Sequence, residues 1–337
     1  MRGFCVLEGE VILMKLLQEC KNAQRIGIGG HLRPDGDCIS SCLALYQYLK
    51  KSLPEHVFIK VYLEKPPLIF GELKGFGEIE SAFPKEEIFD VFFIMDCNRE
   101  RLGEGTKYCE GAGKVINIDH HISNQGDGDL NYINPQVGST SELIYDLIVA
   151  ESGEDVLDVE LAKVIYTGMI HDTGVFQYSN TTPKTMEIGA KLIGYGFDFP
   201  GLIQETFYQR TYVQTQVLGR ALMESIRFMD GQCIVSCVDK KQMEFYEVTS
   251  QDFDGIVNQL RNIKGIHCAI FMYQTDILEY KVSMRSDELV DVAEIAAYFG
   301  GGGHRRAAGC TMKGTFHDCV NNLSLHIEVQ LKKNGAL

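Results

Sequence analysis

His31-Leu32-Arg33-Pro34-Asp35-Gly36-Asp37 places one imidazole and two carboxylates within seven residues, directly after the apolar, glycine-rich run Arg25-Ile26-Gly27-Ile28-Gly29-Gly30. Three more clusters follow apolar runs in the same way. Val91-Phe92-Phe93-Ile94-Met95 ends in Asp96, Lys114-Val115-Ile116-Asn117-Ile118 ends in Asp119-His120-His121, and the helix-like stretch from Leu161 to Ile170 ends in His171-Asp172. Unpaired ionisable groups at the ends of core elements are costly, and a divalent cation would neutralise them. Several carboxylates with imidazole and no obligatory thiolate suit Mn²⁺ or a similar hard-to-borderline ion. The donors outnumber what one ion needs, which points to two cations sharing a bridging carboxylate.

The elements that must bring these clusters together read as an alternating α/β pattern. Strands are expected at residues 25–30, 57–63, 90–95 and 114–118, and helices at 10–22, 38–51, 139–151, 157–171 and 184–195. Ligands of a doubly wound parallel sheet gather at the carboxyl ends of its strands, where these clusters stand. In the first turn, Pro34 is expected to stiffen the backbone and Gly36 to relax it so that both aspartates enter one cavity. The competing role for Asp37 is capping a helix that starts at residue 38. Ser139-Thr140-Ser141-Glu142 reads as a capping box, and Gly126-Asp127-Gly128-Asp129 as a surface turn without catalytic duty.

Glycines and a proline cluster between Gly194 and Gly201, and beyond them strands are expected at 225–229, 232–238, 267–274, 277–284 and 308–312. The organisation read from this is a first α/β domain over 1–195, a helical linker over 196–215, and a smaller mixed-sheet α/β domain over 216–337. A cleft between such domains is a common ligand site. In the second domain Gly300 to Gly303 would offer backbone N–H groups to phosphate, with His304, Arg305 and Arg306 supplying charge.

The chain has 337 residues and a formal net charge of −14, with no lysine- or arginine-rich run. That balance disfavours long duplex nucleic acid, which is bound mainly through phosphate contacts, and leaves room for a short phosphorylated ligand in a locally positive pocket. The 11 cysteines form no Cys-x-x-Cys pair and many lie in apolar runs, so buried thiols of a reducing compartment are expected. Cys38, inside the first cluster, has a thiolate that suits a softer ion, but packing at a helix start is the preferred reading. No signal peptide or membrane span is read, so a cytoplasmic location without membrane partners is expected.

The order of the clusters, with consecutive Asp119-His120-His121 and the late Gly300-Gly301-Gly302-Gly303-His304-Arg305-Arg306-Ala307-Ala308-Gly309, resembles the DHH phosphoesterase superfamily with its associated second domain. The likeness is nearest to the branch that degrades very short oligoribonucleotides and dephosphorylates 3′-phosphoadenosine 5′-phosphate. The resemblance implies two Mn²⁺ ions per chain, with Mg²⁺ or Co²⁺ as substitutes. It places His31 and Asp35 on the first ion, Asp37, His120 and Asp172 on the second, and Asp96 between them. Asp119 is expected to orient His120 or His121, and His121 to contact phosphate or donate a proton to the leaving oxygen, making Asp96, Asp119 and His121 the catalytic set. Arg285, Ser286, Gly302, Gly303, His304 and Arg305 are expected to bind a short 5′-phosphorylated RNA or small nucleotide. A homodimer is compatible with this reading. The pattern departs at Cys38-Ile39-Ser40-Ser41, where a glycine commonly precedes the serine, and at Gln177, where a basic residue is common. The rivals are a cyclic-dinucleotide phosphodiesterase and, from another class, a non-catalytic nucleotide sensor. His171 is expected to be structural, and His56, His267, His317 and His326 to lack acidic partners.

Overall fold

The computed structural model describes residues 15–337, in two compact units that divide between Gln209 and Arg210. The first unit is built on six parallel strands: β1 (Arg25–Gly29), β2 (Phe58–Tyr62), β3 (Ile79–Glu80), β4 (Val91–Met95), β5 (Lys114–Asp119) and β6 (Leu130–Ile133). Their order is β3-β2-β1-β4-β5-β6, and every pairing is parallel. From β1 the chain winds outward one way, and from β4 the other way. The connections leaving β1 and β4 therefore diverge and open a crevice at their carboxyl ends.

Both faces of this sheet are covered, which explains why β4 is apolar at all five positions. Ile26, Ile28, Phe93, Ile116 and Ile118 belong to one core, with buried residues of the helices Gly36–Ser52, Thr140–Ser152 and Val159–Asp172. Phe92 and Ile94 belong to the other, with Phe89, Tyr108 and Val115. The strands expected from the sequence form within two residues of their predicted bounds. The sequence reading passes over β3, β6 and the helix Thr106–Gly111. β3 has two residues and β6 is only half-buried, so neither carries a strong apolar signal. Of the helix expected at 10–22, residues 10–14 lie outside the described residues, and Leu16–Glu19 forms one turn.

The second unit contains β7 (Ile226–Phe228), β8 (Cys233–Val238), β9 (Cys268–Asp276), β10 (Glu279–Ser286), β11 (Gly302–His304) and β12 (Ala307–Lys313), ordered β11-β12-β10-β9-β8-β7. Only β8 and β9 pair in parallel, so this sheet is mixed. The two-residue period of β9 shows how it is held. Cys268, Ile270 and Met272 enter a core with the helices Val292–Tyr298 and Phe316–Lys333, whereas Ala269 and Phe271 enter a core with the helices Tyr212–Met223 and Ile256–Arg261.

The segment expected as a linker, 196–215, splits between the units. The helix Phe199–Ile203 and a single π turn at Gln204–Tyr208 follow it into the first unit, where Leu202 joins the core. The helix Tyr212–Met223 packs in the second through Val217 and Ala221. In the glycine run, Gly302 and Gly303 lie in β11. Gly303 pairs with Ala308 at φ +144°, and a Cβ there would stand 2.5 Å from the Ala307 carbonyl oxygen. Close strand approach thus accounts for this glycine. Among the described residues no helix is long and apolar enough to cross a membrane.

Candidate metal centre and active site

The crevice at β1 and β4 collects the acidic and imidazole clusters. Beyond β1, Arg33 takes a left-handed φ of +57°. The His31 Nδ1–H donates to the Leu32 carbonyl at 2.9 Å, leaving Nε2 3.7 Å from Asp35 Oδ2 and 3.5 Å from Asp96 Oδ2. Asp35 is the N-cap of the helix Gly36–Ser52, its Oδ1 accepting from the N–H groups of Asp37 and Cys38 at 3.1 Å each. The expected alternative, in which Asp37 caps this helix, is therefore corrected. Asp37, 1% exposed, instead lies at the start of the helix Thr140–Ser152 and accepts from Thr140 N–H at 2.7 Å and Ser141 N–H at 2.9 Å. Gly36 also serves differently from the expected backbone freedom. It is absent from the left-handed residues, and a Cβ on it would stand 2.3 Å from the His171 ring, so its small size admits the imidazole.

Asp96 follows β4 with a left-handed φ of +59°, a conformation that costs a non-glycine residue about 1 kcal/mol and concentrates at functional sites. It is 1% exposed. Its Oδ1 accepts from the Thr140 hydroxyl at 2.8 Å and lies 3.7 Å from His120 Nε2 and 3.6 Å from His121 Nδ1. At the end of β5, Asp119 orients His121: Oδ1 accepts from the His121 ring at 2.7 Å and from the His121 N–H at 3.0 Å. The other oxygen, Oδ2, accepts from Asn124 Nδ2 at 2.7 Å. Asp172 ends its helix with Oδ2 3.3 Å from His120 Nε2. Asn180 Nδ2 holds Asp172 and its neighbour segment, donating to the Gly138 carbonyl at 2.8 Å and the Asp172 carbonyl at 3.2 Å.

These positions are electrostatically unbalanced. Burial, with the nearby Asp96 charge, pushes the Asp37 carboxyl up to about 7 although His120 opposes it. Burial, Asp37 and Asp96 push Asp172 well above the ordinary range. Burial disfavours a charged His121, but its bond to Asp119 outweighs that and raises its pKa. His120 Nε2 is buried without a hydrogen-bond partner, as a nitrogen reserved for a cation would be. Three donor sets have ligand atoms within 4.8 Å of one another: Asp96, Asp119, His120 and His121; His31, Cys38 and Asp96; and Asp37, His120 and Asp172. The crowded carboxylates, the unpartnered imidazole nitrogen and these overlapping sets fit divalent cations.

Other expectations need adjustment. Ser139 caps its helix by accepting from Glu142 N–H at 3.0 Å. The reciprocal half of the box is missing, because Glu142 Oε2 accepts from Gly138 N–H and the Thr185 hydroxyl instead. His171 contacts the Thr206 hydroxyl at 3.0 Å and packs edge-on against Phe70 and Phe207. Asp127 and Asp129 accept from the N–H groups of Arg99 and Val115, so that turn is tied to the segment after β4 and to β5. His267 acquires an acidic partner after all, with Nδ1 2.6 Å from Asp287 Oδ2. The residues that sequence reasoning missed are Thr140, Asn124, Asn117 and Asn180. Asn117 interrupts the apolar run of β5 and was the one visible signal; its Nδ2 donates to the Cys97 carbonyl at 2.8 Å.

Within the second unit, the Arg285 guanidinium donates to the Met284 carbonyl and Arg285 pairs in register with Ala307. The Ser286 hydroxyl is buried and donates to the Val290 carbonyl at 2.6 Å. Arg305 stands 4.0 Å from Asp291, and Arg306 3.5 Å from Glu288. The N–H groups of Gly300 and Gly301 are used on the carbonyls of Ala297 and Ala296, which removes two of the donors expected for phosphate.

A parallel sheet with this strand order, carrying aspartates and histidines at its switch point, defines a metal-dependent phosphoesterase of the DHH type. The family models agree: that for the DHH family, N-terminal domain, matches residues 25–169, and that for the DHHA1 domain matches residues 230–332. The chain belongs to the DHH family. It is 31% identical to the bifunctional oligoribonuclease and PAP phosphatase NrnA of Thermus thermophilus, over 89% of this chain and 89% of that protein. It is 29% identical to the protein of the same name from Bacillus subtilis, over 84% and 87%. Among solved structures, an exopolyphosphatase-related protein from Bacteroides fragilis superposes with a TM-score of 0.85 at 26% identity, covering 92% of this chain and 94% of the other.

Proposed function

We propose that the chain is a Mn²⁺-dependent phosphohydrolase of short 5′-phosphorylated oligoribonucleotides, such as pApA, and of 3′-phosphoadenosine 5′-phosphate. The observation that carries this reading is the convergence of Asp37, Asp96 and Asp172 on His120, whose Nε2 is buried without a hydrogen bond, beside His31, which has Asp35 and Asp96 within 3.7 Å. The relatives' names supply the substrate class. In this reading His31 and Asp35 hold one ion, Asp37, His120 and Asp172 the other, and Asp96 lies between. When bound, two divalent cations would supply positive charge for phosphate oxygens and make water acidic enough to act as nucleophile near neutral pH.

The chain's own groups do the rest. The hydrogen bonds to Asp37 and Asp96 from Thr140 and Ser141 hold these carboxylates in place before substrate arrives. Asp119 keeps a proton on His121, which would donate it to the leaving oxygen. The second unit would recognise the nucleotide through Arg285, Ser286, Gly302, Gly303, His304 and Arg305, with backbone groups in place of the spent Ser286 hydroxyl.

The test is chromatographic product analysis on pApA, 3′-phosphoadenosine 5′-phosphate, a cyclic dinucleotide and pyrophosphate, with Mn²⁺ and after chelation. Metal-dependent formation of AMP from pApA, and of AMP with inorganic phosphate from 3′-phosphoadenosine 5′-phosphate, is expected, together with a rate that falls as 5′-labelled RNA is lengthened. Preference for the cyclic dinucleotide, or hydrolysis of none, would overturn the reading.

A further inference from the structure

One side chain beside His31 has no part in the proposed reaction. Cys38 is 0% exposed, and its Sγ lies within 4.8 Å of ligand atoms on both His31 and Asp96. Cys38 belongs to the apolar core, yet its sulfur also has an imidazole and a carboxylate within reach, neighbours that a space-filling thiol does not need. Its backbone is fixed by Asp35, whose Oδ1 accepts the Cys38 N–H while Oδ2 faces His31. On this side of the centre His31, Asp96 and Cys38 thus present one nitrogen, one carboxylate oxygen and one sulfur within 4.8 Å of one another, and Asp35 Oδ2 stands 3.7 Å from His31 Nε2. The other side, with Asp37, His120 and Asp172, presents no sulfur. Mixed nitrogen, oxygen and sulfur sets suit tetrahedral Zn²⁺ or Co²⁺, and oxygen-rich sets suit Mn²⁺ or Mg²⁺.

We infer that Cys38 is a ligand of the cation at His31, and that it gives this position a preference for thiophilic divalent ions that the neighbouring position lacks. On binding, the S–H bond breaks, a sulfur–metal bond forms, and the proton passes to solvent. The inference rests on the metal-dependent reading above and assigns its two positions different metals.

The test is spectroscopic. Metal-stripped full-length protein is titrated with Co²⁺, and both the visible d–d bands and a near-ultraviolet sulfur-to-cobalt charge-transfer band are expected. Cys38→Ala and Cys38→Ser should lose the charge-transfer band and keep the d–d bands, while Cys42→Ala keeps both. Zn²⁺ affinity, measured by competition with a chromophoric chelator, should fall at least about tenfold in Cys38→Ala, with Mn²⁺ affinity unchanged. Cobalt binding to the wild-type protein without a charge-transfer band overturns the inference whether or not the variants fold, and so does a band that survives in both Cys38 variants. Absence of any cobalt binding would overturn the metal-dependent function itself.

Discussion

Both units join aspartate to histidine, and they do so to opposite ends. In the second unit His267 meets Asp287 at 2.6 Å, and Arg261 meets the same oxygen at 3.3 Å. One carboxylate there has an arginine and an imidazole as partners, so its charge is compensated from within the chain. In the first unit Asp37, Asp96 and Asp172 crowd together, two of them pushed toward protonation, around a His120 nitrogen that makes no hydrogen bond. A cluster selected for stability resembles the first case, because buried groups without compensation are destabilising. The second case makes sense when its missing charge arrives from outside. The same residue types therefore mark a tie in one sheet and, in the proposed function, a catalytic centre in the other.

The strongest way to break this contrast is Asp96→Asn. If the first cluster is catalytic, kcat on pApA should fall by at least about a thousandfold, as on losing a main electrostatic contributor. Melting of the metal-free variant should match or exceed that of the metal-free wild type, because a crowded charge is removed. Retained activity with lowered stability would make the cluster a structural tie like the other.

The pH dependence of stability sharpens the same point. Asp37 titrates at about 7 in the folded protein against an ordinary 3.8, so the folded state keeps a proton that the unfolded chain has already released between these values. Its contribution is present below pH 4 and lost as pH rises to 7, by up to about 4 kcal/mol. In melts of chelated protein, wild type should therefore weaken relative to Asp37→Asn across this window, and saturating Mn²⁺ should reverse the trend. A difference that is flat with pH contradicts the crowding.

A smaller effect is expected from Asn180→Ala, which loosens Asp172 without removing a ligand. Metal affinity or kcat should fall about ten- to a hundredfold, as for other supports of metal ligands, and titration calorimetry together with rates would show it. The smallest effect belongs to the second unit. Asp287→Asn should cost about 1 kcal/mol, since the pair is partly solvent-exposed, and lower Tm by about 2–4 °C. Metal content should stay unchanged, as measured by elemental analysis.

The clusters were legible because each is local: an apolar run, then a polar turn within a few residues, which is the form of a strand end in a parallel sheet. What could not be read were the supports, because their partners are remote. Asp37 accepts from Thr140 and Ser141, 103 and 104 positions away, and Asn180 reaches Gly138 across 42. Capping potential at residues 35–38 was evident, but which aspartate capped which helix depended on a helix more than a hundred residues later. That Gly302 and Gly303 form an edge strand was not legible, because a glycine-rich turn and a tightly paired edge both admit glycine, and only the position of β12 distinguishes them.

By itself, then, the amino-acid order determined the strand-and-turn grammar and the donor types, since these follow from local backbone preference and side-chain chemistry. The tertiary structure alone decided that Asp119 serves His121, that His267 finds Asp287, and that Cys38 faces His31. Those pairings arise only when long-range packing fixes the separation of atoms to within a bond length, and no local pattern encodes that separation.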